Sequence, residues 1–302
     1  MTPLVTLALF RFEGSPTVQS ERKGFVPCDH EYLNFKGGKF SKSRGAAVEV
    51  PYFLSKYDPD ALRFYLTATL PETRDTEFSW EDFVERNNNE LVATWGNLAN
   101  RMLSFAYKRF DGVVPEPGPL DDADRALLAQ VEAGFQEVGD LLKACKFRAA
   151  LNEALALARE ANGYLDRKAP WFQIKEDKAA AATSVYVILR AIENLKTILA
   201  PILPHTPVLT HTPVLTHRAQ KLDEYLGYEG QLFGTQQVVE YQEEARHGGL
   251  RSHEALTYDH SGAIGSWAKS ELPPGQALRQ PAPLFRKLDE SVIEEEYARL
   301  EG

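Results

Sequence analysis

Apolar residues recur at helical spacing through most of the middle of the chain. In "KYDPDALRFYLTATL", Leu62, Tyr65, Leu66 and Leu70 share one helical face, with Asp58 at the N-cap and Pro59 at the first helical position. Ser79 and Asp82 form a capping pair ahead of "WEDFVERNNNELVATWGNLANRMLSFAYKRF", which predicts one very long helix. "DGVVPEPGPLDD", with three prolines and two glycines, breaks that pattern. "ADRALLAQVEAGFQEVGDLLKAC" and "KFRAALNEALALAREANGYLDRKA" then predict two more helices, and after Pro170-Trp171 another runs from about Lys178 to Leu199. Four helices with short connections over residues 79–200 predict a helical bundle. Upstream, Phe25 to Phe35 reads as extended, with "EYLNF" the best strand ahead of the Gly37-Gly38 turn. The fold class is therefore mainly α, a helical bundle preceded by a small α/β portion.

The flanks are less regular. Residues 1–24 match no nameable motif, and "EGSPTVQSERKG" reads as loop. "HTPVLTHTPVLTH" at 205–217 repeats six residues, a local duplication too short for a solenoid unit. His205, His211 and His217 could be read as metal ligands, but their spacing fits no compact motif and Pro207 and Pro213 disfavour a continuous helix. No metal site is assigned. Past residue 218 the chain alternates loop, short apolar pieces and clusters such as "SELPPGQALRQPAPLF". The last stretch, "FRKLDESVIEEEYARL", reads as a helix in a packing arm. Its acidic part from Asp289 either docks on the bundle or on a further part of the protein, or stays solvated.

Composition narrows the function classes. At 302 residues, 43% hydrophobic and 25% charged, the sequence is that of a soluble globular protein. No apolar run approaches the roughly 20 residues that span a bilayer, so no membrane partner is expected. The opening "MTPLVTLALF" lacks a basic n-region and a cleavage site. Two distant cysteines, Cys28 and Cys145, argue against a disulfide framework or cysteine-rich zinc site and for a reducing cytoplasm. A formal net charge of −9 excludes nucleic-acid binding through a general basic surface, so any such binding needs local patches and stacking.

One loop stands out. In "NFKGGKFSKSRG", Lys36, Lys39, Lys42 and Arg44 lie among glycines and serines, a set suited to a phosphate group. A solvated basic turn is the alternative on charge alone. "KFSKS" resembles the "KMSKS" signature of class I aminoacyl-tRNA synthetases, with Phe40 for Met. The flanking "EYLNFKGGKFSKSRG" and "YDPDALRFYLTATLPETRDTEFSWEDFVERNNNELVATWGNLANR" are similar to methionyl-tRNA synthetases, and the Phe variant resembles their archaeal-type branch. "NGYLDRKAPW" and "PAPLFRKLD" extend the likeness.

The resemblance implies a methionine–tRNA ligase, which joins methionine to tRNA(Met) through a methionyl-adenylate made from ATP, with Mg2+ expected beside the nucleotide. It implies that Lys42 is the principal contact to the ATP phosphates, that Lys39 assists it, and that Ser41 and Ser43 shape the loop by hydrogen bonding. It also implies that the bundle reads the CAU anticodon. Asn97 and Arg101, four residues apart on one helical face, would bond around the first anticodon base, and Trp171 would stack on an unpaired base. Pro170 would fix the backbone there, and Asp166 would disfavour wrong anticodons by its charge. Without the resemblance, Asn97 and Arg101 read equally as a surface pair and Trp171 as a core residue. On charge alone, Arg167 and Lys168 add phosphate contacts.

The resemblance also implies an organisation. Residues 1–24 are atypical; 25–78 form the C-terminal remnant of the class I catalytic domain; 79–217 form the anticodon-binding bundle; 218–302 form the arm. A "HIGH"-type ATP segment, the methionine pocket and the connective domain occur nowhere, so the chain reads as the C-terminal portion of a longer enzyme. ATP and methionine are then partners only with the other half, and the isolated chain is catalytically incomplete. A freestanding tRNA-binding module without catalysis is the second reading, and an unrelated helical scaffold with a chance basic loop is the third.

Overall fold

The computed structural model describes residues 31–35, 48, 50–203, 206–207, 215–216, 218–244, 250–259 and 261–301. Strand β1 (Leu33–Phe35) pairs in parallel with β2 (Thr76–Phe78), with Leu33 opposite Thr76 and Phe35 opposite Phe78. A parallel pair needs a crossover, and helices α1 (Val50–Lys56) and α2 (Pro59–Ala68) lie within it. Asp58 caps α2, its carboxylate accepting from the Asp60 N–H at 2.8 Å, and Pro59 opens the helix. Rings from both sides of this unit interlock. Trp80 stacks on Phe53 at 5.9 Å and meets Phe78 and Phe83 edge-on at 5.2 and 5.7 Å. Trp80 opens helix α3 (Trp80–Arg86), so this aromatic cluster joins the α/β part to the bundle.

The long helix is not uniform. Ser79 caps α3 as expected, its hydroxyl accepting from the Asp82 N–H at 3.1 Å. From Asn87 to Gly96, however, the helix widens into a π-helical segment before resuming as α4 (Asn97–Arg109). Three consecutive asparagines, whose side chains compete with the backbone for hydrogen bonds, weaken the α-helix at that point. Their amides reach outward instead. Asn87 donates to the Arg286 carbonyl at 3.1 Å, and Asn88 donates to the Leu288 carbonyl and accepts from its N–H, both at 2.9 Å. Gly96 closes the contact, since an added Cβ would lie 2.9 Å from the Phe285 ring. The widened segment is thus the seat of the C-terminal arm.

Helices α5 (Asp122–Lys143), α6 (Phe147–Lys168) and α8 (Lys178–Leu199) pack on one another, with α4 against α8 and the short α7 (Pro170–Glu176) at the α6–α8 corner. A capping box between Asp121 and Asp124 starts α5. Along α6, Ala150, Ala154, Ala158 and Ala161 are fully buried, which lets neighbouring helices approach closely. Helix α8 is buried on nearly every side. Its polar residues are accommodated: Asn194 accepts from the Ser270 N–H at 2.8 Å and donates to the Ser270 carbonyl at 3.0 Å. Lys196 pairs with Glu193 at 3.1 Å and with Asp223, whose helix α9 spans Arg218–Tyr225.

Beyond α9 the structure departs from the loop-like reading. Strands β5 (Thr235–Glu244) and β6 (Leu250–Asp259) form a ten-residue antiparallel hairpin. Its strands are rich in polar residues, so backbone pairing rather than an apolar alternation defines it. Within the duplication, β3 (Thr206–Pro207) pairs antiparallel with β4 (Leu215–Thr216), while His205, His211 and His217 lie outside the described residues. The acidic terminal helix α10 (Ser291–Glu301) docks. Glu296 is fully buried and accepts from the hydroxyls of Tyr52 at 2.8 Å and Tyr57 at 2.6 Å, with Arg299 at 3.0 Å. Burial alone would raise its carboxyl, but the bonds from Tyr57, Arg299 and Tyr52 outweigh this and hold it below the usual range.

The buried cluster at Lys196 makes a stability prediction. Burial raises both the Glu193 and the Asp223 carboxyls, so each depends on the single ammonium between them. Lys196→Met is expected to lower the unfolding free energy by about 3–5 kcal/mol at neutral pH. The loss should shrink as pH falls, because the folded state then takes up protons that the unfolded state does not. Urea denaturation at pH 7 and pH 5 measures both; a loss that grows at pH 5 contradicts this account.

Candidate nucleic-acid interface

The candidate site is built by two junctions. At the first, α4 begins where the π segment ends, and its outer side carries Asn97 and Arg101 one turn apart, both exposed. Asn162 of α6 donates to the Thr94 carbonyl at 2.9 Å, which ties α6 to the π segment just before Asn97. At the second junction, Ala169 adopts the left-handed conformation (φ 42°, ψ 59°) and turns the chain out of α6. Pro170, buried, then starts α7 with its fixed φ. This sharp corner carries Trp171 back to α4. The Arg101 guanidinium lies 5.2 Å from the centroid of the Trp171 indole, a cation–π contact.

Trp171 is neither sealed in the core nor free of it: it is half-buried, with its apolar body packed on the bundle. Asn97, Arg101, Pro170 and Trp171 therefore gather at one end of the bundle, and Asp166 stands exposed on the last turn of α6 leading into the same corner. Phe172, which the sequence reading did not single out, is 61% exposed, with the Lys175 ammonium 5.6 Å from its ring centroid. Its position beside Trp171 was the available signal.

Lys168 corrects an expectation. Its ammonium does not point outward for phosphate but pairs with Asp121 and, at 2.8 Å, with buried Asp124, which also accepts from the Tyr164 hydroxyl at 2.9 Å. The cation closes the C-terminal end of α6 onto the N-terminal end of α5, the polarity that both helix dipoles favour. Burial works against the charge on Lys168, yet the bonds to Asp121 and Asp124 raise its pKa overall. The Lys168 hydrogen bond is the leading cause that holds the Asp121 carboxyl down to about 2. Arg167, beside it, is exposed.

Lys39, Ser41, Lys42 and Ser43 lie outside the described residues. Among the described residues, no three His, Cys, Asp or Glu side chains are grouped so as to hold a metal, and no helix is long and apolar enough to cross a membrane.

Comparison with known proteins places this arrangement in a class. The family model described as "tRNA synthetases class I (M)" matches residues 24–103, and the model for the "Anticodon binding domain of methionyl tRNA ligase" matches residues 114–224. Together they take in more than half of the chain, and the chain belongs to the methionyl-tRNA synthetase family. It is 54% identical over 277 residues to the methionine–tRNA ligase of Thermomicrobium roseum, covering 91% of this chain and 44% of that one. For the methionine–tRNA ligase of Chloroflexus aggregans the identity is 50%, covering 90% and 42%. The crystal structure of Mycobacterium tuberculosis methionyl-tRNA synthetase bound by methionyl-adenylate superposes with a TM-score of 0.66 at 25% identity, covering 85% of this chain and 43% of that one. The chain thus spans less than half the length of the relatives it matches.

A titration tests the Lys168 assignment. The Asp121 carboxyl, ordinarily at 3.8, is expected to titrate near 2, so its contribution to stability is present above about pH 4 and lost as pH falls toward 2. In Lys168→Met the NMR midpoint of Asp121 should return toward the ordinary range. A midpoint unmoved by that substitution rules out the pairing in solution.

Proposed function

We propose that this chain is the anticodon-reading and signature-loop portion of a methionine–tRNA ligase, which charges tRNA(Met) through a methionyl-adenylate in the cytoplasm. The observation that carries the proposal is the meeting of Arg101 with the Trp171 ring, one helical turn from Asn97. An indole held on its body by the bundle offers a π-face to an unpaired base, and Asn97 and Arg101 supply donors for that base's edge. Arg101 in addition places a fixed positive charge at the ring, where an RNA backbone passes. Stacking needs no basic surface, which reconciles RNA binding with a net charge of −9. Asp166, exposed at the same corner, repels bases or phosphates placed wrongly there.

For the chemistry, the methionine carboxylate attacks the α-phosphate of ATP and pyrophosphate leaves. Lys42, assisted by Lys39, neutralises charge developing on the departing phosphates, and Ser41 and Ser43 hold the loop by hydrogen bonding. Mg2+ accompanies the nucleotide, and no residue of this chain is assigned to it. ATP and methionine require the remainder of the enzyme, since half a nucleotide site cannot hold the attack geometry.

Filter binding of the chain to methionine-accepting tRNA, compared with an anticodon-changed tRNA, tests the reading. Trp171→Ala is expected to weaken cognate binding by about 5- to 100-fold, the range for loss of one stack. Equal affinity for both tRNAs removes the anticodon assignment. In a complete enzyme carrying this segment, Lys42→Ala should slow ATP–pyrophosphate exchange by about 100-fold or more, with methionine affinity held within about two-fold. A near-normal exchange rate refutes the role of Lys42.

A further inference from the structure

We propose that Phe172 is a second stacking platform, which takes the base next to the one held on Trp171, with Lys175 holding the phosphate between them. The inference rests on the anticodon-reading function above and extends it to two further residues of α7.

Phe172 is the exposed aromatic ring of the corner that carries Trp171. It is 61% exposed, on a helix whose other side is anchored: Pro170 is buried and Ile174 packs on the core. Helix α7 is therefore held by its inner side and has no need of Phe172 for its own docking. The exposed phenyl ring is therefore free to present its face to a ligand.

The geometry indicates what kind. Successive helical residues turn by about 100°, so Lys175 projects at about 40° from Trp171 and about 60° from Phe172, between the two rings. The outer arc of α7 thus reads ring, cation, ring. Lys175 already lies 5.6 Å from the Phe172 centroid, and Arg101 lies 5.2 Å from that of Trp171. Each ring carries its own cation, and consecutive nucleotides of a splayed loop present the complementary repeat of base, phosphate, base. An apolar protein partner fits poorly. Phe172 is a single ring and not a contiguous patch, and Lys175, Glu176, Asp177 and Lys178 around it are all exposed charges that such a partner would have to desolvate.

The test uses the full chain and an RNA hairpin with a CAU anticodon loop, measured by fluorescence anisotropy. The expected result is a five- to 100-fold weaker binding for Phe172→Ala, binding within two-fold of the parent for Phe172→Tyr, and an unchanged melting temperature for both. Lys175→Gln should flatten the salt dependence by about one phosphate contact. Hairpins with one abasic loop position identify the base: removing it should cost the parent affinity but cost Phe172→Ala nothing further, and the position should differ from the one that Trp171→Ala makes silent. If Trp171→Ala weakens binding and Phe172→Ala stays within two-fold, the second platform is overturned and the first stands. If Trp171→Ala has no effect, the anticodon-reading function fails, and with it this extension.

Discussion

Helix α8 imposes the constraint on which the rest of the structure depends. Enclosed by α4, α5, α6 and α9, it has buried Glu193, Asn194 and Lys196, none of which can reach water. A buried polar group without a partner costs about 1–3 kcal/mol, and an unpaired charge more. Each partner comes from a later part of the chain or from α8 itself: Asn194 is satisfied by the backbone of Ser270, and Lys196 by Glu193 and by Asp223 on α9. The arm after the bundle is therefore an integral wall of the core, and its course along α8 follows from where those groups sit.

From there the arm continues to the π segment, where Asn87 and Asn88 receive it, and on to α1, where Glu296 gathers the hydroxyls of Tyr52 and Tyr57. The terminal helix consequently spans the α/β part and the start of the bundle. The same widened segment sets the position of Asn97 at the head of α4. One irregularity thus serves both the docking of the arm and the placement of Asn97 and Arg101.

Much of this was legible in the residues, and the failures are instructive. Asp58, Pro59 and Ser79 announce helix starts through bonds made within three residues, so local chemistry suffices to read them. The apolar run of α8 marks the ends of that helix, Lys178 and Leu199. The π segment was not foreseen, because what widens the helix at the asparagines includes partners some 200 residues away, at Arg286 and Leu288. Lys168 reads as an outward cation because a sequence shows a charge but not the buried Asp124 that claims it. Beyond its place beside Trp171, nothing in the sequence separates Phe172 from the buried aromatics of the bundle; only the turn of α7 puts it on the outside.

Composition, spacing and motif thus carry the family and the helical class, since these depend on residue types at short separations along the chain. Bringing Arg101 onto the face of Trp171 depended on the left-handed turn at Ala169 and on the crossing of α4 with α6. Contacts between segments so far apart are set by how whole helices pack, and a one-dimensional string holds no direct record of that.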